Sequence, residues 1–171
     1  TGKSKTNFGL NNDSLVGCYC LSQPGVRLDK VKTVKLLSRT NLPIKSLKRL
    51  TKSHYTGHEI ISLILPKGLN YKRGELMIID GVMVSGCFNK KSIGTGKLSI
   101  INTIYYLCGN LETMNFINNI QKISVEYLAY FGFSVGLRDI YVPPDLRKEK
   151  NRFMTKFTSD TNQMLRDIEI D

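Results

Sequence analysis

Glu75-Leu-Met-Ile-Ile79, Asp80-Gly81 and Val82-Met-Val-Ser85 run on without interruption, and Asn89-Lys-Lys-Ser-Ile-Gly-Thr-Gly96 follows closely. Two short apolar alternations joined by Asp-Gly predict a tight antiparallel hairpin, because both turn positions tolerate positive φ. Such a hairpin is rigid, and it delivers two adjacent lysines and a Gly-x-Gly turn to one place. This is a scaffold that presents positive charge.

Working outward, the charge is one-sided. The 171 residues carry 25 Lys and Arg against 14 Asp and Glu, a formal net charge of +11. Residues 1–74 hold 14 basic and 3 acidic residues, and residues 75–171 hold 11 of each. An excess confined to one part of a chain favours a polyanionic partner, with nucleic acid ahead of an anionic membrane. The plainer reading is a solvated lysine-rich surface. The length is enough to bury a real core. No apolar run approaches the ~20 residues needed to span a bilayer, and the first twelve residues lack the apolar core of a signal peptide.

Cys18, Cys20, Cys87 and Cys108 form no C-x-x-C pair and match no histidine cluster. They read as free thiols in a reducing, intracellular compartment. His54 and His58 are i,i+4 neighbours with Gly57 between them and no third ligand nearby, so no metal site is expected. The sequence contains no Gly-x-Ser-x-Gly, no Walker-type phosphate loop and no His-Glu-x-x-His. Gly94-Thr95-Gly96-Lys97 has the wrong spacing for a phosphate loop and reads as a turn. The chain taken alone does not look like a self-sufficient enzyme.

The remaining pattern is helical or irregular. Asn11-Asn12-Asp13-Ser14 supplies capping side chains ahead of a short buried helix over 15–21. Asp29 caps a second helix, with Val31, Val34 and Leu37 inward and Lys30, Lys32 and Lys35 outward. Residues 38–55 read as an irregular basic surface excursion. Residues 57–65 form either a short helix or a buried extended run. Lys97–Leu107 can be helical, with Gly109 placed to end it. Asn110 then caps the clearest helix, 111–131. There Phe116, Ile120, Ile123, Tyr127 and Tyr130 face the core, and Met114, Ile117, Val125 and Leu128 widen the arc. Asn115, Asn119, Lys122 and Glu126 form the wet side. After a glycine-punctuated link over 131–136, Pro143-Pro144 opens a polar helix. Its Phe153, Phe157, Met164 and Ile168 make a narrow seam of the coiled-coil kind, which needs a partner helix. The expected fold is α+β: irregular mixed helices, a small antiparallel hairpin sheet, and an extended coiled-coil-like C-terminal helix.

Several blocks together resemble the largest subunit of multisubunit DNA-dependent RNA polymerases of the eukaryotic, archaeal and viral type. Ser4-Lys5-Thr6-Asn7-Phe8-Gly9-Leu10-Asn11-Asn12-Asp13-Ser14-Leu15-Val16-Gly17 is similar to that family's Asn-Lys-Pro-x-x-Gly-x-x-Gln-Asp-x-Leu-x-Gly block. Gly57-His-Glu-Ile-Ile-Ser62 with Pro66-Lys-Gly68 resembles Gly-Lys-Gln-Ile-x-Ser…Pro-x-Gly. Glu75 to Gly96 resembles Gly-x-Leu-x-x-Asp-Gly…Lys-Lys-x-x-Gly. Phe116 to Gly136 with Asp139 resembles Leu-x-x-Asn-Ile-Gln…Gly-Phe-Ser-x-Gly-x-x-Asp. Thr6 stands where the family has Pro, Asn12 where it has Gln, and the loop after Pro66 is short, which fits a divergent relative.

The resemblance implies a pore-type domain over 1–132 and the start of a funnel domain over 133–171, the first helix of an antiparallel pair. It implies a segment of a nucleotidyltransferase that lines the secondary channel for triphosphate entry and backtracked RNA. The partners would be the rest of the largest subunit, the second-largest subunit, DNA template and RNA, with no membrane. Mg2+ would belong to the complete enzyme, on aspartates that lie ahead of this segment in such subunits. By the same resemblance Lys5, Lys90 and Lys91 meet phosphates, while Asn12 and Asp13 cap the first helix near the active centre. Gly132, Gly136 and Asp139 shape the turn into the funnel. For Lys90 and Lys91 the competing expectation is a charged pair guarding a sheet edge. For the whole chain it is a stand-alone basic module that binds nucleic acid without reading sequence.

Overall fold

The computed structural model describes residues 8–48 and 50–169 and divides into two units, Thr1–Gly132 and Phe133–Asp171. In the first, α1 (Asn12–Leu21) leads into β1 (Arg27–Asp29), α2 (Lys30–Ser38), α3 (Ile44–Lys48), β2 (His54–Thr56) and α4 (Gly57–Ser62). A three-stranded meander of β3 (Tyr71–Arg73), β4 (Leu76–Ile79) and β5 (Val82–Ser85) follows, then α5 (Lys90–Ile93) and the long α6 (Ile100–Phe131). The second unit holds α7 (Leu137–Ile140) and α8 (Pro144–Glu169). Helices and two small antiparallel sheets make this an α+β fold. No helix among the described residues is long and apolar enough to cross a membrane.

The expected hairpin forms. Asp80 (φ 48) and Gly81 (φ 75) make its turn, and Ile79 faces Val82 across it. Gly81 also has no room for a side chain, since a Cβ there would lie 2.5 Å from the Pro66 carbonyl oxygen. The sheet is larger than the sequence reading had it. Gly74 (φ 60) begins a second two-residue turn that adds β3, with Arg73 facing Leu76. Met83 N–H donates to Ser62 Oγ at 2.9 Å, which ties the meander to α4.

The core is centred where α1 crosses α6. A Cβ on Gly17 would fall 2.1 Å from the Ser124 carbonyl oxygen, so only glycine permits so close an approach. Cys18, Leu21, Ile60, Ile61, Phe88, Ile93, Phe116, Ile120, Ile123 and Tyr127 are all buried around this crossing. Burying such side chains is worth roughly 1.5–3 kcal/mol each. Gly109 (φ 80, ψ −174) breaks α6 internally, as expected from the sequence. The helix begins at Ile100, with Ser99 as its N-cap, and not at Lys97.

Several expectations need correction. Asp29 does cap α2, accepting from Lys32 N–H at 2.8 Å, but the inner face is Thr33, Leu36 and Leu37. Val31 is 77% exposed, because the cap fixes the helix phase one step away from it. Residues 38–55 are not wholly an excursion: they contain α3, and Tyr55 is buried in β2, pairing with Leu28 of β1. Residues 57–62 are helical, set by a reciprocal cap in which Glu59 N–H donates to Thr56 Oγ1 and Thr56 N–H to Glu59 Oε2. On α6 Met114, Val125 and Tyr130 are exposed. Asn119 is buried instead of wet, since its Oδ1 accepts from Asn41 N–H at 2.9 Å.

In the second unit Gly136 N–H donates to Asp139 Oδ2 at 2.7 Å, closing the turn that starts α7. Every described side chain from 133 to 168 is exposed, the α8 seam of Phe153, Phe157, Met164 and Ile168 included.

Candidate functional site

Lys90 and Lys91 open α5, a single turn fixed by a reciprocal cap. Asn89 Oδ1 accepts from Lys91 N–H at 2.9 Å and Ser92 N–H at 3.0 Å, while Asn89 N–H donates to Ser92 Oγ at 2.8 Å. Ser92 and Ile93 are buried, with Phe88 just ahead, so the turn is rooted in the core while both lysines stay exposed. Cations at the start of a helical turn oppose its dipole. They are not there for the stability of the turn. Nor do they lie on a strand, which removes the sheet-edge guard as an explanation.

The turn is held from two further directions. Leu10 N–H donates to the Ile93 carbonyl at 3.2 Å, and a Cβ on Gly9 would lie 2.6 Å from the Gly94 carbonyl carbon. The chain entering α1 therefore lies directly on the Gly94-Thr95 turn. From the sheet, the Arg73 guanidinium donates to the carbonyls of Lys91 and Leu98, the latter at 2.9 Å. The Tyr71 hydroxyl donates to the Leu98 carbonyl at 2.8 Å, with the Ser92 carbonyl at 3.4 Å. Burial holds the Tyr71 phenol above its ordinary pKa, so it remains a donor.

Two more of the predicted blocks meet at the hairpin tip. Gly68 N–H donates to Asp80 Oδ1 at 2.8 Å, Asp80 N–H to Asn70 Oδ1 at 3.0 Å, and Gly81 N–H to the Leu69 carbonyl at 2.9 Å. Between β3 and the first half of α6 lies an open groove of about 660 Å³, lined by Lys72, Arg73 and Lys97 with Leu98 and Leu107. The Lys90–Lys91 pair stands beside this groove, not in it.

Other predicted positions fall differently. Lys5 lies outside the described residues. Asn12 and Asp13 do not cap α1 from ahead of it: they are its first two residues, and the N-cap Asn11 makes no side-chain capping bond. Asn12 has φ 47, a left-handed conformation that asparagine tolerates better than most residues, and Asp13 places a carboxylate in the first turn, where the helix dipole favours it. His58 Nε2 lies 2.9 Å from the carbonyls of both Ser22 and Gly86, so it joins α1 and β5 through α4. The cysteines are free, and burial pushes the Cys18 thiol up to about 12. Among the described residues no three His, Cys, Asp or Glu side chains come together as a metal site. Arg73 and Tyr71 are the site residues that sequence reasoning missed. Gly74-Glu75 followed by an alternating run was the one available signal for their strand.

The family model for RNA polymerase Rpb1, domain 3, matches residues 3–140. DNA-directed RNA polymerase II subunit RPB1-B of Trypanosoma brucei brucei is 31% identical over 168 residues, covering 90% of this chain and 10% of the relative. DNA-directed RNA polymerase subunit 1 of Acanthamoeba polyphaga mimivirus is 25% identical over 173 residues, covering 91% and 11%. The Rpo1N subunit of Halobacterium salinarum is 27% identical over 150 residues, covering 82% and 15%. The chain thus spans roughly a tenth of the length of the first two relatives. The family model spans most of the chain, and a relative is 31% identical over 90% of it; on these grounds the chain belongs to the RNA polymerase Rpb1 domain 3 family.

Proposed function

We propose that this chain is a piece of the largest subunit of a DNA-dependent RNA polymerase and walls part of the secondary channel. On this reading residues 1–132 are the pore domain and 133–171 begin the funnel. The enzyme performs nucleotidyl transfer on a DNA template. This segment supplies channel electrostatics and architecture, and Lys90 and Lys91, with Lys5, meet the phosphates of entering triphosphates and of the backtracked RNA 3′ end. The observation that carries the reading is an exposed lysine pair on a core-anchored, doubly braced turn, within a unit holding the whole +11 surplus.

The chemistry fits such a passage. Lysine is a compact cation on a flexible stem and contacts phosphate without distinguishing bases, which a route open to all four nucleotides requires. Partners are the remainder of the largest subunit and the second-largest subunit. Mg2+ acts in the complete enzyme. The described residues gather no ligand set for it, and no step is assigned to a metal on this chain.

Replacing both lysines, Lys90→Ala with Lys91→Ala, in the complete polymerase tests the reading. Assembly should survive, because neither side chain is buried. Cleavage of backtracked RNA and triphosphate use should weaken by roughly three- to tenfold at low salt, and the difference should shrink as salt rises. Kinetics unchanged across the salt range would overturn the phosphate-contact role. Tight, steeply salt-dependent binding of RNA by the isolated chain would favour a stand-alone binding module.

A further inference from the structure

We infer that Arg73 is a positioning residue for the Lys90–Lys91 pair, acting through its grip on the backbone of α5 and not through its own charge. The inference rests on the phosphate-contact reading given above. Arg73 ends β3, at the two-residue turn into β4, so its backbone is fixed by the sheet. Its guanidinium donates through one nitrogen to two carbonyls, those of Lys91 and Leu98. These are the carbonyl of the second lysine itself and that of the segment leading into α6. Residues 73 and 91 are far apart in sequence, so the bond joins the sheet to the lysine turn across the fold.

The neighbouring contacts act in the same sense. Tyr71, two residues back on the same face of β3, donates its hydroxyl to the same Leu98 carbonyl at 2.8 Å. Gly94, which follows α5, packs so tightly that an added Cβ would lie 2.4 Å from the Lys90 carbonyl oxygen. Asn89 fixes the start of the turn and Arg73 fixes its second residue, so the backbone under both cations is held at each end. Arg73 suits this task better than lysine, because the two N–H groups on its one engaged nitrogen are held at a fixed angle in the guanidinium plane, whereas an ammonium rotates freely on a flexible stem.

The test is a mutant cycle in the complete polymerase, reading KM and kcat for ribonucleoside triphosphates and the cleavage rate of a backtracked RNA. Arg73→Lys keeps the charge and loses the planar, direction-fixed pair of N–H donors. It should raise KM and slow cleavage by roughly twofold to tenfold, the worth of one or two hydrogen bonds, and should behave like Arg73→Ala. In the Lys90→Ala, Lys91→Ala background the same change should add nothing, since the groups it positions are gone. Tyr71→Phe, a milder change, should act in the same direction with a smaller effect, and it keeps the test open should Arg73 variants fold poorly. If Arg73→Lys matches the parent, or if its effect persists in full without the lysines, the inference is overturned while the phosphate-contact reading stands. If removing the lysines changes nothing at all, the reading itself fails and takes this inference with it.

Discussion

The unit ending at Gly132 and the unit beginning at Phe133 follow opposite physical rules. The first holds every buried side chain described in the molecule, and 18 basic residues against 7 acidic. Among its described residues the second buries none, and it carries seven of each sign. Yet its long helix α8 has as clear an apolar seam as anything in the first unit. A sequence pattern thus records that a face is built to be covered, but not what covers it. In α6 the matching pattern is satisfied by α1 at Gly17 and Ser124. In α8 Phe157 is 72% exposed. A lone helix gains little from propensity in water, so the seam of α8 depends on a partner for its stability.

The sharpest way to break this comparison is a matched pair of truncations. Ile120→Ala, in the wall between α1 and α6, should cost about 2–5 kcal/mol in denaturant unfolding of the chain, from lost burial and the cavity left behind. Phe157→Ala should change the same transition by no more than about 0.5 kcal/mol, the usual scale for an exposed site. A cost at Phe157 approaching that at Ile120 would mean the seam is covered within the chain itself.

Hydrogen exchange would sharpen the contrast residue by residue. Amides from Phe116 to Tyr127 should exchange only through global unfolding, because that stretch carries the buried face of α6. Amides in the middle of α8 should exchange orders of magnitude faster, through local fraying. Equal protection in the two helices would contradict the division.

What the sequence revealed, and what it hid, follows the range of the interaction. Asp80-Gly81, the Asp29 cap, the Gly109 break and the 4-3-4 spacing from Phe116 to Tyr127 are local chemistry and were all legible. The three-residue strands β1 and β2 were not, since Leu28 and Tyr55 find each other across a connection that contains α2 and α3, and neither stretch is long enough to show alternation. Asn119 read as a solvent-facing residue because its partner, Asn41 N–H, lies 78 positions away. The Thr56–Glu59 capping box was in plain view and would have decided between helix and strand at 57–62. The candidate site divides in the same way. Adjacent lysines after a hairpin stand out in a sequence, but an arginine bonding carbonyls 18 and 25 residues further on leaves no mark on it.

The smallest expected effect also separates the units, because it belongs to carboxylates that cap helices of the first. The backbone N–H of Lys32 holds the Asp29 carboxyl below its ordinary value. The Lys52 ammonium, followed by the Thr56 backbone N–H, does the same for Glu59. For a group whose folded pKa is depressed, the unfolded chain binds more protons over the interval between the two values, so stability rises with pH there. The contribution of both groups is therefore complete above the ordinary carboxylate value of about 4 and drains away as pH falls through the lower folded values. Asp29→Asn keeps a good N-cap and Glu59→Gln keeps the reciprocal cap, but neither replacement titrates. The double variant should lie slightly below the parent near neutral pH, where the parent holds the full contribution, and the gap should close on acidification below about pH 4, so its denaturation midpoint falls less steeply. Parallel acid slopes in parent and variant would show that these caps do not carry the pH dependence. The acid response would then have to come from carboxylates elsewhere, and seven of the chain's 14 lie in the second unit, whose described side chains are all exposed.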